Sequence, residues 1–234
     1  MALLGKGVLA IWNGIKPEAE DEFVAWHVRE HIPERVGLSG FLRGRRYIAR
    51  DGHPKYFNFY ETSAATDLSS PVYQARLNAP TDWTRQVVAH FTDTSRTICE
   101  VAWSIGLGEG GFVEAIQLRT SLASKPFATG LHDRLSAAIA TLPGIVGVHL
   151  LKGQPQAGSE DTAEKQLRGA PDKVADWILL VEASRPEAIE AYRAAAGSND
   201  SLGHYGAAPD PIRGLYQLQF ALTKAELSHG ESRN

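Results

Sequence analysis

A repeated order of apolar segments constrains this 234-residue chain more than any single motif does. The pattern is strand, helix, strand, strand, helix, strand, and then the same six elements again. Residues 8–12 read as a short apolar strand. Pro17 with Glu18, Glu20, Asp21 and Glu22 opens a helix, where the dipole favours negative charge; Pro33 weakens it and Gly37 and Gly40 mark its exit. Residues 41–49 and 56–61 make a hairpin around the turn-rich segment 50–54. A helical region between Pro71 and Phe91 breaks near Pro80, and residues 97–105 close the unit as a strand. The second round runs through strand 112–118, helix 126–142, strands 147–152 and 177–182, helix 186–196 and strand 215–222.

Two landmarks tie the rounds together. Leu38-Ser39-Gly40-Phe41 corresponds to Ile145-Val146-Gly147-Val148 at an offset of 107, and Glu61-Thr62-Ser63 to Glu182-Ala183-Ser184 at an offset of 121. The surplus falls in residues 153–176, read as a polar, mobile loop. The chain therefore divides into units 1–106 and 112–224 joined by a Gly-rich linker, 107–111, with 225–234 as a disordered tail. A βαββαβ unit is the ferredoxin-like arrangement, and its sheet carries helices on one face only. The expected fold is α+β, with two tandem ferredoxin-like βαββαβ units packed sheet to sheet so that each covers the other's bare face. Residues 106–111 also match G-x-G-x-x-G, but a strand follows where a dinucleotide site needs a helix N-terminus, so nucleotide binding is rejected.

A formal charge of −3 and a pI near 6.2 supply no basic field for a nucleic-acid backbone. Cys99 is the only cysteine, which excludes an intrachain disulfide framework and a cysteine-rich zinc site. The start lacks a signal-peptide pattern and no apolar run is long enough to span a bilayer. The expectation is a soluble, cytoplasmic protein whose partner is a small molecule, with no nucleic acid and no membrane; a homodimer stays open.

Chemistry concentrates in His27-Val28-Arg29-Glu30-His31. Imidazoles four residues apart share a helix face, and Glu30 lies one turn from Trp26 and Glu34. At the offset of 107, Arg134, Ala137 and Ala138 stand where His27, Glu30 and His31 do, so only the first unit carries the cluster. His-x-x-Glu-His is also the inverted zinc-protease string, with Glu100 as a third ligand far downstream. Arg43 and Arg45 share one side of the second strand and could hold an anionic group, with Arg46 on the other side. Tyr56, Asn58 and Tyr60 share one face of the third strand, Phe57 and Phe59 the other. His53, His149 and His229 have no convincing partner in sequence, and His204-Tyr205 lies in a Gly-rich loop that could close over a pocket.

Trp26-His27-x-x-Glu30-His31-x-Pro33, Gly40-Phe41-x-x-Gly44-Arg45-Arg46-Tyr47 and Tyr56-x-x-x-Tyr60-Glu61 together resemble the EthD-like branch of the dimeric α/β-barrel superfamily. The resemblance spans residues 8–105; from 112 onward only the fold-level pattern and the glycine landmark persist. It implies that the two units close into a pseudo-dimeric α/β barrel. It also implies the activities of that superfamily, which include cofactor-independent monooxygenases, isomerases, dehydratases and decarboxylases of small cyclic molecules, some haem proteins, and members with no known activity.

The expectation is a cofactor-independent enzyme, without a metal, using His/Glu acid–base chemistry on a small cyclic or anionic organic molecule. His27, His31 and Glu30 are the expected catalytic groups, and Trp26, Glu34, Arg43, Arg45 and Tyr60 the expected substrate contacts. Near pH 7 the histidine pair would offer one neutral base and one charged acid. A non-catalytic small-molecule-binding or assembly protein of the same fold is the first alternative, with the histidines packed at a helix C-terminus. A zinc hydrolase is the second.

Overall fold

The structure is a computed structural model that describes residues 3–155, 157, 161–168 and 173–231. Its first half contains β1 (Gly7–Ile15), α1 (Glu20–Trp26), α2 (Ile32–Gly37), β2 (Phe41–Asp51), β3 (Tyr56–Thr62), α3 (Pro71–Asn78), α4 (Asp82–Val88) and β4 (Phe91–Gly106). The second contains β5 (Phe112–Leu118), α5 (Ser124–Thr141), β6 (Ile145–Gly153), α6 (Ala163–Arg168), β7 (Trp177–Ala183), α7 (Pro186–Tyr192), α8 (Asn199–His204), β8 (Ile212–Thr223) and α9 (Lys224–Glu231). The eight strands close into one barrel in the order β1-β3-β2-β8-β5-β7-β6-β4, every neighbouring pair antiparallel.

Each half contributes four consecutive staves, β4-β1-β3-β2 and β8-β5-β7-β6. The α+β expectation is met, and the two sheets do more than face each other. They are hydrogen-bonded at both edges, β2 to β8 and β4 to β6, so no edge strand is left unpaired. Strand alternation then sorts the side chains. Val8, Ala10, Trp12, Tyr47, Phe57, Phe59, Val113, Ala115, Ile178, Leu180 and Tyr216 fill the barrel interior as one apolar cluster drawn from both halves. Leu9, Tyr60 and Ile98 point outward, beneath the helices of the first half.

β4 begins at Phe91, earlier than the expected start at residue 97, because Phe91 and Thr92 already pair with Ile15 and Gly14 of β1. The stretch 153–176, expected to be a mobile loop, contains α6, which packs on α3 and α4. The stretch 225–234, expected to be a disordered tail, is helical to Glu231; Leu227 packs beneath it and Lys224 Nζ donates to the carbonyls of Val36, Gly37 and Leu38, capping α2 from the other half of the chain.

The register corrects one sequence alignment. Phe41 pairs with Thr62 and Ile145 with Ala183, and Gly40 (φ 85°) and Gly144 (φ 91°) hold the same left-handed turn before each strand. Gly144, not Gly147, therefore answers Gly40, an offset of 104. At that offset His27, Glu30 and His31 correspond to Leu131, Arg134 and Leu135, one helical turn from the residues first matched. Leu131 and Leu135 are fully buried in the apolar cluster of the second half with Phe127 and Trp177.

Candidate functional site

The helix carrying the histidines does not stop at Pro33. Between α1 and α2, residues His27–His31 form a π-helical turn in which the Ile32 N–H reaches back five residues to the His27 carbonyl. Pro33 then sits in the first turn of α2, where its missing N–H is tolerated, and the helix continues to Gly37. The wider turn changes which side chains face the barrel, and such turns are frequent at functional sites.

Both imidazoles are buried against the outer face of the barrel. Their rings stack at 5.3 Å between centroids, with Phe23 5.0 Å from His27 and Trp26 4.2 Å from His31. The Tyr60 hydroxyl lies 3.4 Å from His27 Nε2, and Nδ1 of His27 and of His31 makes no hydrogen bond to protein. His27, His31, Trp26 and Tyr60 all line a cavity of about 50 Å³, roofed by α3, α4 and α6. Burial drives both histidines well below their ordinary pKa; the charges of Arg46 and Arg35 add to this at His27, and those of Arg35 and Arg76 at His31. Neither is the charged acid expected from the sequence, since both are neutral at pH 7. Burial raises the Tyr60 phenol, which stays protonated.

The remaining expected residues are elsewhere. Glu30 turns away from the histidines to accept from the hydroxyls of Thr81 (2.5 Å) and Thr84 (3.2 Å) at the start of α4. Glu34 pairs with Arg35 at 2.7 Å and Arg76 at 2.5 Å. Arg43 and Arg45 share a face as expected, but it is the barrel interior. Arg43 binds Glu61 (2.7 Å) and Glu109, while Arg45 bridges Glu61 (3.1 Å) and Glu182 (3.0 Å). That network, joined by His149 and by the Gly110 N–H, plugs one end of the barrel. Burial would raise the Glu182 carboxyl, but Arg45 and His149 overcome it and hold the pKa at about 2. Arg46, the arginine set aside, is the one beneath α1, over the Phe23 ring and bonded to the Val24 carbonyl.

The sequence reading missed Arg35 and Glu164. Arg35 lies one helical turn after His31, in the stretch that Pro33 was expected to weaken. Its Nη1 donates to Glu34 and its Nη2 to Glu164 of α6, a residue of the other half. Glu100, the third zinc ligand considered, is exposed on β4, and among the described residues no three His, Cys, Asp or Glu side chains converge to hold a metal ion. With Glu30 held by threonines, the zinc-hydrolase arrangement has neither its third ligand nor its base in place.

A larger cavity of about 440 Å³ opens at the opposite end of the barrel from the arginine network, between the β2–β3 turn and the segment entering β8. Of the residues singled out in the sequence it includes only His53, which is exposed and pairs with Asp93 at 3.6 Å. Volume favours that mouth over the histidine cavity, and the unpartnered buried imidazoles favour the histidine cavity.

The architecture is that of the dimeric α/β-barrel proteins with ferredoxin-like units. No protein-family model matches the chain, and no curated protein resembles its sequence. Among solved structures it is similar to an anthrone oxidase-like protein, with a TM-score of 0.64 and 17% identity over 97% of both chains. A candidate monooxygenase from Lactobacillus acidophilus superposes with a TM-score of 0.57 at 10% identity, covering 94% of this chain and 97% of that one. A heme-binding protein from Thermus thermophilus gives 0.51 at 10% identity, over 97% of this chain and 95% of the other. At these identities the likeness is one of fold. Among the described residues no helix is long and apolar enough to cross a membrane.

Proposed function

We propose that the protein is a cofactor-independent enzyme whose common chemical step is removal of a proton from a small cyclic organic molecule in the His27–His31 cavity. The observation that carries this reading is the pair of buried, neutral imidazoles, each with an Nδ1 that no protein group satisfies. His31 is the base, with His27 and Trp26 fixing its ring by stacking. Tyr60, kept protonated, donates to the oxygen on which negative charge gathers. A base with a lowered pKa deprotonates only a substrate whose anion is delocalised, which selects acidic C–H or phenolic compounds. The fate of that anion distinguishes isomerase, lyase and oxygenase types.

The chain is also read as a tandem fusion, its first half EthD-like. The matched strand orders, the paired turns at Gly40 and Gly144, and the pseudo-equivalent Glu61 and Glu182 support that history.

Anthrone is the first compound to try, since one solved relative is described as anthrone oxidase-like. The assay is deuterium exchange at its methylene carbon, with oxygen uptake measured in parallel. Replacing His31 by Leu should slow exchange by roughly 10²–10⁴-fold, the usual contribution of a positioned base. Compounds that bind equally well to both variants, with no exchange in either, would make the protein a small-molecule binder, a reading favoured by the small volume of the cavity.

A further inference from the structure

We infer that Arg35 is the anion-binding residue of the histidine cavity, and that Glu164 holds the place taken by a substrate carboxylate or phenolate. This rests on the reading of that cavity as the substrate site. Arg35 is almost fully buried, one turn from His31, and its fork is divided between two carboxylates. Glu34 is its sequence neighbour and has a second partner in Arg76. Glu164 arrives from 129 residues away, on a helix of six residues.

The origin of that helix separates Glu164 from an ordinary structural ion pair. The β2–β3 hairpin turns within residues 52–55, whereas its counterpart between β6 and β7 runs over 154–176. The barrel needs only the short form. The described helix of the longer connection lies on the cavity, with Glu164 and Arg168 in its wall and Leu167 against the Trp26 and Val87 cluster. A cavity of about 50 Å³ is well short of the ~150 Å³ that admits a benzene, so an organic ligand enters only when a wall such as α6 moves.

Charge then selects the ligand. Arg35 stands in the wall with Glu164 as the carboxylate that reaches it from the other half, and both imidazoles are neutral. When α6 withdraws, its carboxylate leaves and the planar fork of Arg35 faces the cavity. A guanidinium released from one carboxylate matches another bidentately. An anionic ligand repays the broken ion pair; a neutral isostere leaves a buried charge uncompensated.

Benzoate and benzamide, alike in shape and different in charge, test this without turnover. By titration calorimetry the protein should bind benzoate and discriminate against benzamide. Benzoate should also speed tryptic cleavage after Lys165, as α6 is displaced. Glu164→Gln should tighten benzoate about tenfold, the scale of one hydrogen bond to a charged group. The double variant Arg35→Gln with Glu164→Gln leaves neither member of the pair alone and should lose the discrimination. Equal affinity for the two probes, unchanged benzoate affinity in Glu164→Gln, or unchanged cleavage after Lys165 would each overturn the inference. Tighter benzoate in Glu164→Gln alongside full turnover in His31→Leu would sink the histidine chemistry and leave the anion site standing.

Discussion

His31→Leu should make the protein more stable and chemically inert. The second half contains the natural control, because Leu135 occupies the corresponding position, fully buried. In the first half the same position holds an imidazole whose Nδ1 finds no protein partner. An unsatisfied buried polar group costs about 1–3 kcal/mol, and a leucine removes that cost while packing against Trp26. For a domain of this size each kcal/mol moves Tm by about 2–4 °C, so the variant should melt roughly 2–12 °C higher at pH 7.5. The pH dependence provides a second reading. The folded-state pKa of His31 is depressed, so below about pH 6.5 the unfolded chain takes up a proton that the folded one refuses, and stability falls as pH falls. The limiting slope is about 1.4 kcal/mol per pH unit for each such histidine. Thermal or urea melts from pH 8 to pH 5 should show wild type losing stability on acidification and His31→Leu losing less. A lower Tm at pH 7.5 together with an unchanged acid slope would mean that the imidazole is a structural residue, and the site assignment would fall with it.

Leu135→Ala should do the reverse, costing about 2–5 kcal/mol for a fully buried leucine while benzoate binding per folded molecule stays as in wild type. Arg45→Met should cost roughly 3–5 kcal/mol, because it strands Glu61 and Glu182 inside the barrel; a melt within 1 °C of wild type would refute the interior network. Glu182, held at about pKa 2 by Arg45 and His149, contributes stability that is present above the ordinary carboxylate range and lost as pH falls toward 2, a loss that urea melts of Glu182→Gln should no longer show. Glu30→Gln should leave exchange chemistry intact and lower stability by about 1 kcal/mol through Thr81 and Thr84; a collapse of exchange would restore Glu30 to the chemistry.

Periodicity carried the fold because each strand has two destinations. Tyr56, Asn58 and Tyr60 separate cleanly from Phe57 and Phe59, the former set toward the helices and the latter into the barrel. The same alternation placed Arg43 with Arg45 but could not say on which side. Arginines enter an apolar interior only because Glu61 and Glu182, from strands far apart in sequence, meet them there. Pro33 was expected to weaken the histidine helix, but a π turn absorbs it and the helix runs on through Arg35 to Gly37. Nothing local marks α6, since six mostly polar residues carry no helical stripe; its position is a tertiary fact.

The two halves share a strand order, a left-handed glycine turn and a pair of arginine-binding glutamates, yet they differ at one helix face. Phe127, Leu131, Leu135 and Trp177 make that face apolar in the second half, the bland solution that packing alone requires. In the first half Phe23, His27, His31 and Tyr56 occupy the corresponding places, with a π turn, two unsatisfied nitrogens and a cavity in the bargain. Every one of those departures costs stability, and none helps to close the barrel. The second half is not idle either, because α6 reaches across to put Glu164 on Arg35 and Lys224 caps the helix that bears the histidines. One half therefore bears the paired imidazoles, and the other supplies part of the covering and bracing around them.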